Sequence, residues 1–156
     1  MSSLVNGIAT AANVYGVVNG TSGSDRISGT SGGDKLAGGK GVDYLYGGDG
    51  NDAFIFHLSD FDISLGSQPQ DFVYDFGGAG KYLAGNNDFL SFNNFGAGST
   101  LTLDGAKTAI AQAHGGGDPT LQYYTVHSTN SGFDYELFVH STDGHVLATG
   151  DYAFYN

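Results

Sequence analysis

Aspartates recur every nine residues near the amino end of the chain, at Asp25, Asp34, Asp43 and Asp52. Each occupies the sixth place of a nine-residue unit, and the units run without a break over residues 20–55. They read GTSGSDRIS, GTSGGDKLA, GGKGVDYLY and GGDGNDAFI. A short carboxylate once per unit, beside backbone carbonyls, offers the oxygen ligands that a hard cation such as Ca²⁺ prefers.

The other places of the unit predict the fold that would hold these carboxylates. Places one and four are glycine in every unit, which predicts loops that enter positive-φ conformations and turn their carbonyls inward. The last three places are strand-like, and the eighth is always apolar: Ile27, Leu36, Leu45 and Phe54. We therefore predict an all-β, right-handed parallel β-roll in which two units close one turn. A flexible linker would have no reason to keep four units in phase.

Residues 20–55 resemble the nonapeptide repeats of the RTX (hemolysin-type calcium-binding) family. The resemblance implies Ca²⁺ ions between loops on the same side of the roll. It therefore pairs Asp25 with Asp43 and Asp34 with Asp52. At least two ions are implied, and three or four if partial sites at the ends of the roll also fill.

The ligands that the resemblance implies are backbone carbonyls as well as the four carboxylates. Thr21 and Thr30 replace the second glycine of the first two units, and we expect weaker preorganisation there and no lost ion. The candidate metal-binding residues are Gly20, Ser22, Gly23, Asp25, Gly29, Ser31, Gly32, Asp34, Gly38, Lys40, Gly41, Asp43, Gly47, Asp49, Gly50 and Asp52.

The segment after the repeats keeps an acidic and aromatic pattern, as in DFVYDF over residues 71–76 and NDFLSF over residues 87–92. It is similar to the segment that follows the repeats in serralysin-type metalloproteases and in the R-modules of mannuronan C5-epimerases. The resemblance implies that this segment continues the roll and caps it. Asp71, Asp75 and Asp88 are either further Ca²⁺ ligands or turn and cap residues.

Two other acidic residues in this segment, Asp60 and Asp62, are interpreted as ordinary loop residues. Nearer the carboxy end, Asp104 predicts the cap of a helix over residues 106–113, which glycines 115–117 would end. Strand-like stretches follow at residues 121–127, 133–140 and 145–154, and Asp143-Gly144 favours a tight turn between the last two. These signals predict an antiparallel meander after the helix.

The chain is accordingly divided into four segments. Residues 1–19 are expected to form a degenerate starting turn that caps the roll, because solenoids need a covered end. Residues 20–55 form the roll, residues 56–102 continue and cap it, and residues 103–156 form the helix and meander. The last segment ends in GDYAFYN, which is typical of a type I secretion signal or of a docked final strand.

Composition excludes several classes of function. The net charge is −11 with only five Lys and Arg, which disfavours nucleic-acid binding, and all but one (Glu136) of the 16 acidic residues are Asp. The chain has no Cys, no apolar run long enough for a membrane span, and no charged start followed by an apolar segment as in a secretory signal peptide. His127, His140 and His145 lack zinc-site spacing, and no serine lies in a nucleophile elbow.

The sequence therefore predicts a non-catalytic, monomeric Ca²⁺-binding module that folds outside the cell. Its partners would be Ca²⁺ and the type I secretion machinery, and it would support export and folding of a larger secreted protein. The alternative is a module that binds an alginate-like polysaccharide within a secreted polysaccharide-modifying enzyme. Ten Tyr and eleven Phe are available for stacking on sugars, although the net charge disfavours an anionic polymer.

Overall fold

The structure is a computed structural model that describes residues 3–5, 8–10, 17–61, 70–80, 85–114 and 117–156. In these ranges the chain forms two β-sheets, one α-helix and a short 3-10 helix. The strands are β1 (Ser3–Val5), β2 (Ile8–Thr10), β3 (Val17–Asn19), β4 (Arg26–Ser28), β5 (Lys35–Ala37), β6 (Tyr44–Tyr46), β7 (Ala53–His57), β8 (Gln70–Phe76), β9 (Phe89–Asn93), β10 (Thr100–Leu103), β11 (Leu121–His127), β12 (Asp134–Ser141) and β13 (Tyr152–Tyr155). The 3-10 helix is Leu58–Asp60 and helix α1 is Gly105–His114.

Successive repeat units place their strands alternately in the two sheets. The eight-stranded sheet has the order β1-β2-β4-β6-β8-β12-β11-β10, and the five-stranded sheet has the order β13-β9-β7-β5-β3. Within each sheet the repeat strands are parallel and in register, so that Arg26 lies beside Tyr44 and Lys35 beside Ala53. Two units therefore make one turn, as the repeat length predicted, and the fold is an all-β parallel roll.

The apolar residues at place eight form the core between the two sheets. Ile27, Leu36, Leu45 and Phe54 are fully buried, and Val18 of β3 continues the same line. Burying one such side chain contributes about 1.5–3 kcal/mol, so the column is a substantial but narrow source of stability. It widens towards the carboxy end, where Phe92, Phe95 and Tyr135 pack edge to face.

The roll continues beyond the repeats on both sides. Strand β8 pairs in parallel with β6, and β9 pairs in parallel with β7, so each sheet gains one more turn. At the amino end β2 pairs in parallel with β4, and β1 pairs in antiparallel fashion with β2. Of the starting turn predicted over residues 1–19, residues 1–2, 6–7 and 11–16 lie outside the described residues.

The predicted carboxy-terminal meander is only partly correct. Strands β11 and β12 form the expected antiparallel pair, but β10, which the sequence did not predict, is the third antiparallel strand. The stretch over residues 145–154 is not one strand: only Tyr152–Tyr155 is extended, and it pairs in parallel with β9 in the other sheet. The turn at Gly144 (φ 75°) forms, yet it leads the chain across to the second sheet.

Helix α1 matches its sequence signals. The main-chain N–H of Lys107 donates to Oδ1 of Asp104 at 2.9 Å, which confirms the predicted cap. At the other end Gly117 adopts φ 83° and its N–H donates to the carbonyl of Gln112 at 2.8 Å. Glycines 115 and 116 lie outside the described residues. No helix in the described ranges has both the length and the apolar character that crossing a membrane requires.

The outer face of the eight-stranded sheet carries an aromatic ladder, formed by Tyr44, Tyr46, Phe72, Tyr74 and Phe138. The ring centroids are 5.0 Å apart for Tyr44 and Phe72, 4.7 Å for Phe72 and Phe138, and 4.7 Å for Tyr46 and Tyr74. The corresponding interplanar angles are 8°, 3° and 6°. The separations match the spacing of neighbouring strands, so the rings stack on one another across the sheet.

Candidate metal sites

The aspartate has the same place in all four units, so each carboxylate lies at the end of a loop, directly before a strand. Because units alternate between sheets, the carboxylates form two columns. The first column runs along the eight-stranded sheet and the second along the five-stranded sheet. The first column consists of Asp25, Asp43 and Asp71, and the second of Asp34, Asp52 and Asp88. All six residues are buried.

One type of hydrogen bond, from a main-chain N–H to a carboxylate one turn further along the roll, links the aspartates of each column. In the first column the main-chain N–H of Asp25 donates to Oδ1 of Asp43 at 2.8 Å, and that of Asp43 donates to Oδ1 of Asp71 at 3.0 Å. In the second column the N–H of Asp34 donates to Oδ1 of Asp52 at 2.7 Å, and that of Asp52 donates to Oδ1 of Asp88 at 2.9 Å. The structure therefore brings together the pairs that the resemblance implied.

The second oxygen of the carboxylate differs between units. Among the residues that the structure describes, Oδ2 of Asp43 and Oδ2 of Asp52 are buried and have no hydrogen-bond partner. A buried anionic oxygen without a partner costs several kcal/mol. A cation beside it would remove that cost, so units three and four contain oxygens that fit a metal ion.

Glycine at place one is needed for close approach and not, as the sequence suggested, for a positive φ. A methyl group on Gly38 would overlap Oδ2 of Asp43, and one on Gly47 would overlap Oδ2 of Asp52. On Gly20 it would overlap the carbonyl oxygen of Gly38 and lie 2.9 Å from Oδ2 of Asp25. Place one therefore packs carboxylate and carbonyl oxygens against a bare α carbon.

Positive φ angles occur at places two and four, and only in units three and four. Gly39 has φ 92°, Gly41 111°, Gly48 94° and Gly50 120°. Gly23, at place four of the first unit, is not in the left-handed region. The predicted role of glycine at place four is thus correct for half of the repeat and wrong for the other half.

Threonine closes the loops of the first two units. In unit one the N–H and the hydroxyl of Thr21 donate to Oδ2 of Asp25 at 2.6 and 2.8 Å, and the N–H of Gly23 donates to Oγ1 of Thr21 at 3.2 Å. Unit two repeats the arrangement with the same distances through Thr30, Asp34 and Gly32. The sequence indicated only that these threonines are mild departures from the glycine of the repeat, and the closed loops were not predicted.

Burial disfavours the charged form of an aspartate in the middle of each column and raises its pKa. It raises the pKa of Asp43 to about 7, where the hydrogen bond from Asp25 opposes the rise and the charges of Asp25 and Asp60 add to it. Burial likewise raises the pKa of Asp52 to about 6, with the charges of Asp34 and Asp75 adding to the rise. Burial thus makes the charged form of these carboxylates less favourable than in water, and a nearby positive charge would offset that penalty.

The pKa is also raised at the last aspartate of each column. Burial raises the pKa of Asp71 to about 8 and that of Asp88 to about 7. The charge of Asp60, at the end of the 3-10 helix, adds to the rise of the pKa at Asp71 as well as at Asp43. The interpretation of Asp60 as an ordinary loop residue stays a prediction, and Asp62 lies outside the described residues.

Asp75 and Asp88 have direct contacts of the turn and cap type. Asp75 adopts φ 55°, and its carboxylate accepts from the N–H groups of Gly47 at 2.8 Å and Gly48 at 3.3 Å. Oδ2 of Asp88 accepts from the N–H of Gly77 at 2.8 Å. At the carboxy end of the roll, these hydrogen bonds take the place of those that a further repeat unit would make. Ligation by Asp71, Asp75 and Asp88 stays a prediction.

The remaining candidates lie further from the buried oxygens. The residues at place three are exposed at the loop tips, and ligation by their carbonyls stays a prediction: Ser22, Ser31, Lys40 and Asp49. The three histidines each pair with an aspartate, at 2.7 Å for His127 and Asp134, 2.8 Å for His140 and Asp118, and 3.0 Å for His145 and Asp143.

Side chains alone do not complete a metal site. In the described ranges no three His, Cys, Asp or Glu side chains converge as a metal-binding group. Main-chain carbonyl oxygens also lie near the carboxylates: the carbonyl oxygen of Gly38 and Oδ2 of Asp25 both lie close to the α carbon of Gly20. This all-oxygen donor set fits calcium and does not fit softer metals.

Comparisons with known proteins agree with this geometry. The family model of the RTX calcium-binding nonapeptide repeat matches residues 19–54 in four copies. The fold is similar to the solution structure of the AlgE6R3 subunit of a mannuronan C5-epimerase from Azotobacter vinelandii, with a TM-score of 0.50 and 21% identity over 92% of this chain and 80% of that chain. A search of curated protein sequences gave no match. Residues 19–54 are therefore RTX calcium-binding repeats within a parallel β-roll.

Proposed function

We propose that the chain is a non-catalytic module that folds when it binds calcium outside the cell and thereby supports a larger secreted protein. The observation that carries the proposal is the pair of buried, unpartnered carboxylate oxygens on Asp43 and Asp52. They lie in loops whose glycines allow backbone oxygens to approach closely. Among the described residues, hydrogen bonds reach only the other oxygen, Oδ1, of these two carboxylates.

The chain's own residues explain why folding would depend on the ion. The aspartate columns bring like charges together, and the Gly-rich loops lose much conformational freedom when they are ordered. The core between the sheets is one apolar side chain wide along the repeats, so it offsets little of that cost. Bound calcium would supply positive charge to the columns and bridge successive turns.

The expected affinity suits a switch between compartments. Extracellular calcium modules bind at roughly 10⁻⁴ to 10⁻³ M, so the sites would fill outside the cell and stay empty in cytosol. Each site stabilises the fold by about 1.4 kcal/mol at tenfold saturation and about 2.7 kcal/mol at a hundredfold. Two sites thus contribute a sizeable part of the 5–15 kcal/mol typical of a small domain. Export as an unfolded chain through type I secretion follows from this proposal.

Far-UV circular dichroism of the full chain tests the proposal. We expect a largely unfolded spectrum in EDTA and a β-sheet spectrum in 10 mM CaCl₂. MgCl₂ at the same concentration is the matched control, and it should not induce folding because Mg²⁺ demands near-octahedral ligation and dehydrates reluctantly. Identical spectra in EDTA and CaCl₂ would refute the proposal.

The polysaccharide-binding alternative gains no support from the aromatic residues. In the aromatic ladder the faces of Tyr44, Phe72 and Phe138 stack on one another, so they are occupied by neighbouring rings. Tyr44 at the end of the stack is 37% exposed. The stacking itself is accounted for by the stability of the sheet, and we keep the calcium module as the proposed function.

A further inference from the structure

The four repeat units fall into two structural classes. Units one and two have closed loops, in which threonine satisfies Oδ2 of the aspartate. Units three and four have open loops, in which Oδ2 has no hydrogen-bond partner among the described residues. The difference lies at place two, which is Thr21 and Thr30 in the closed loops and Gly39 and Gly48 in the open ones.

Backbone conformation separates the two classes independently of the hydrogen bonds. Gly39 and Gly48 adopt φ angles of 92° and 94°, which a β-branched residue such as threonine does not reach without strain. A methyl group at Gly39 would also overlap the carbonyl oxygen of Thr21 in the unit below, and one at Gly48 would overlap that of Thr30. Threonine at place two therefore forces a different loop.

The closed loop uses its own groups where an open loop needs a cation. In unit one the N–H of Thr21 at 2.6 Å and its hydroxyl at 2.8 Å both donate to Oδ2 of Asp25, and charge-assisted bonds of this kind are strong. A cation at this oxygen would have to displace both donors. The carboxylate of a closed loop is stabilised without an ion.

We infer that Thr21 and Thr30 act as built-in substitutes for calcium, so that the repeat holds its two ions at Asp43 and Asp52 without help from the carboxylates of Asp25 and Asp34. This inference rests on the proposed function and specifies which of its sites take an ion. The carboxylates of the closed units need no ion of their own, and the open units confer the calcium dependence of the fold.

The number of calcium ions per chain, counted by native mass spectrometry, tests the inference. We expect two ions on the unaltered chain. The double variant T21G/T30G frees Oδ2 of Asp25 and Asp34 and should bind four. The matched control T21S/T30S keeps both the hydroxyl and the N–H donor, and it should still bind two.

Asparagine substitutions provide a second, site-resolved arm. The variant D25N/D34N should keep two ions with affinity within threefold of the original, whereas D43N/D52N should lose both. Circular dichroism in 10 mM CaCl₂ establishes which variants fold. If T21G/T30G does not fold, D25N/D34N decides, because an unchanged ion count supports the inference and the loss of the two ions overturns it.

The outcomes separate the two levels of the argument. An unaltered chain that binds no calcium overturns the proposed function itself. A folded D25N/D34N variant that loses both ions, or a folded T21G/T30G variant that still binds two, leaves the calcium module intact and overturns the role of the threonines.

Discussion

The main-chain N–H of Asp25 donates to Oδ1 of Asp43 at 2.8 Å, one full turn further along the roll. In return the carbonyl of Asp25 accepts the N–H of Tyr44 at 2.9 Å. Each aspartate thus links two turns through one oxygen while the other oxygen faces the loop. The same carboxylate that would hold calcium is a structural part of the sheet edge, so ion binding and folding are coupled through a single side chain.

The stability of the calcium-depleted fold should fall as pH rises. The folded-state pKa values of Asp52, Asp43 and Asp71 are about 6, 7 and 8, whereas an unfolded Asp titrates near 3.9. Because the folded values are raised, the fold gains stability from bound protons below about pH 4 and loses it as pH rises through about 6 to 8. Far-UV circular dichroism in EDTA should therefore show more residual β-structure at pH 5 than at pH 8.

Calcium should reverse this dependence, because it binds the deprotonated carboxylates. In 10 mM CaCl₂ the urea midpoint should be higher at pH 8 than at pH 5. β-Structure in EDTA that increases from pH 5 to pH 8 would show that burial does not raise the pKa values of these carboxylates as described.

Replacing Gly38 with alanine should damage the first column. The added methyl group would overlap Oδ2 of Asp43, and such overpacking costs about 1–3 kcal/mol. The matched control is Gly150→Ala, because Gly150 has open space around its α carbon and no positive φ. Thermal unfolding in 10 mM CaCl₂ should show a clear loss for the first variant and little change for the second; equal melting temperatures would contradict the geometry.

The column of place-eight residues should be sensitive to truncation. Leu36 is fully buried between the sheets, and Leu36→Ala should cost about 2–5 kcal/mol through lost burial and the cavity left behind. Ile110→Ala, on a side chain that is 58% exposed on helix α1, should be nearly neutral. Urea unfolding with calcium present measures both, and a similar small effect for the two variants would argue against a shared core.

Much of the roll could be predicted from the sequence because the repeat is strictly local. Nine-residue spacing fixed the alternation of strands, the burial of Leu36 and Leu45, and the pairing of Asp25 with Asp43. Asp71 and Asp88 were harder to place, since insertions separate them from their partners by 28 and 36 residues instead of 18. The acidic and aromatic pattern hinted at their position, but nothing local specified it.

The incorrect prediction of the last strand and the missed closed loops have different physical causes. Strand β13 joins β9 through a parallel pairing that connects distant parts of the chain, and a turn signal such as Asp143-Gly144 does not say which sheet the next strand enters. The closed loops of Thr21 and Thr30 were not predicted because the threonines were treated as mild replacements for glycine. Threonine rarely adopts a positive φ, so its presence at place two could have indicated a second class of loop.

The aromatic ladder should contribute energy beyond simple burial. Tyr46 and Tyr74 stack at 4.7 Å, and a double-mutant cycle to alanine should give a coupling of about 0.5–1.5 kcal/mol. A cycle that combines Tyr46 with Tyr155, which lies on the other sheet and is 49% exposed, should give no coupling. Equal coupling in both cycles would show that the stacking has no specific effect.

Amide hydrogen exchange at Asp25 and Asp34, followed by NMR with and without calcium, tests the central claim most directly. These two N–H groups donate to Oδ1 of Asp43 and Asp52, so they report whether the columns are assembled. Calcium-driven folding predicts slow exchange at both amides in 10 mM CaCl₂ and fast, unprotected exchange in EDTA. Equally slow exchange in both conditions would contradict it, because the columns would then hold together without the ion.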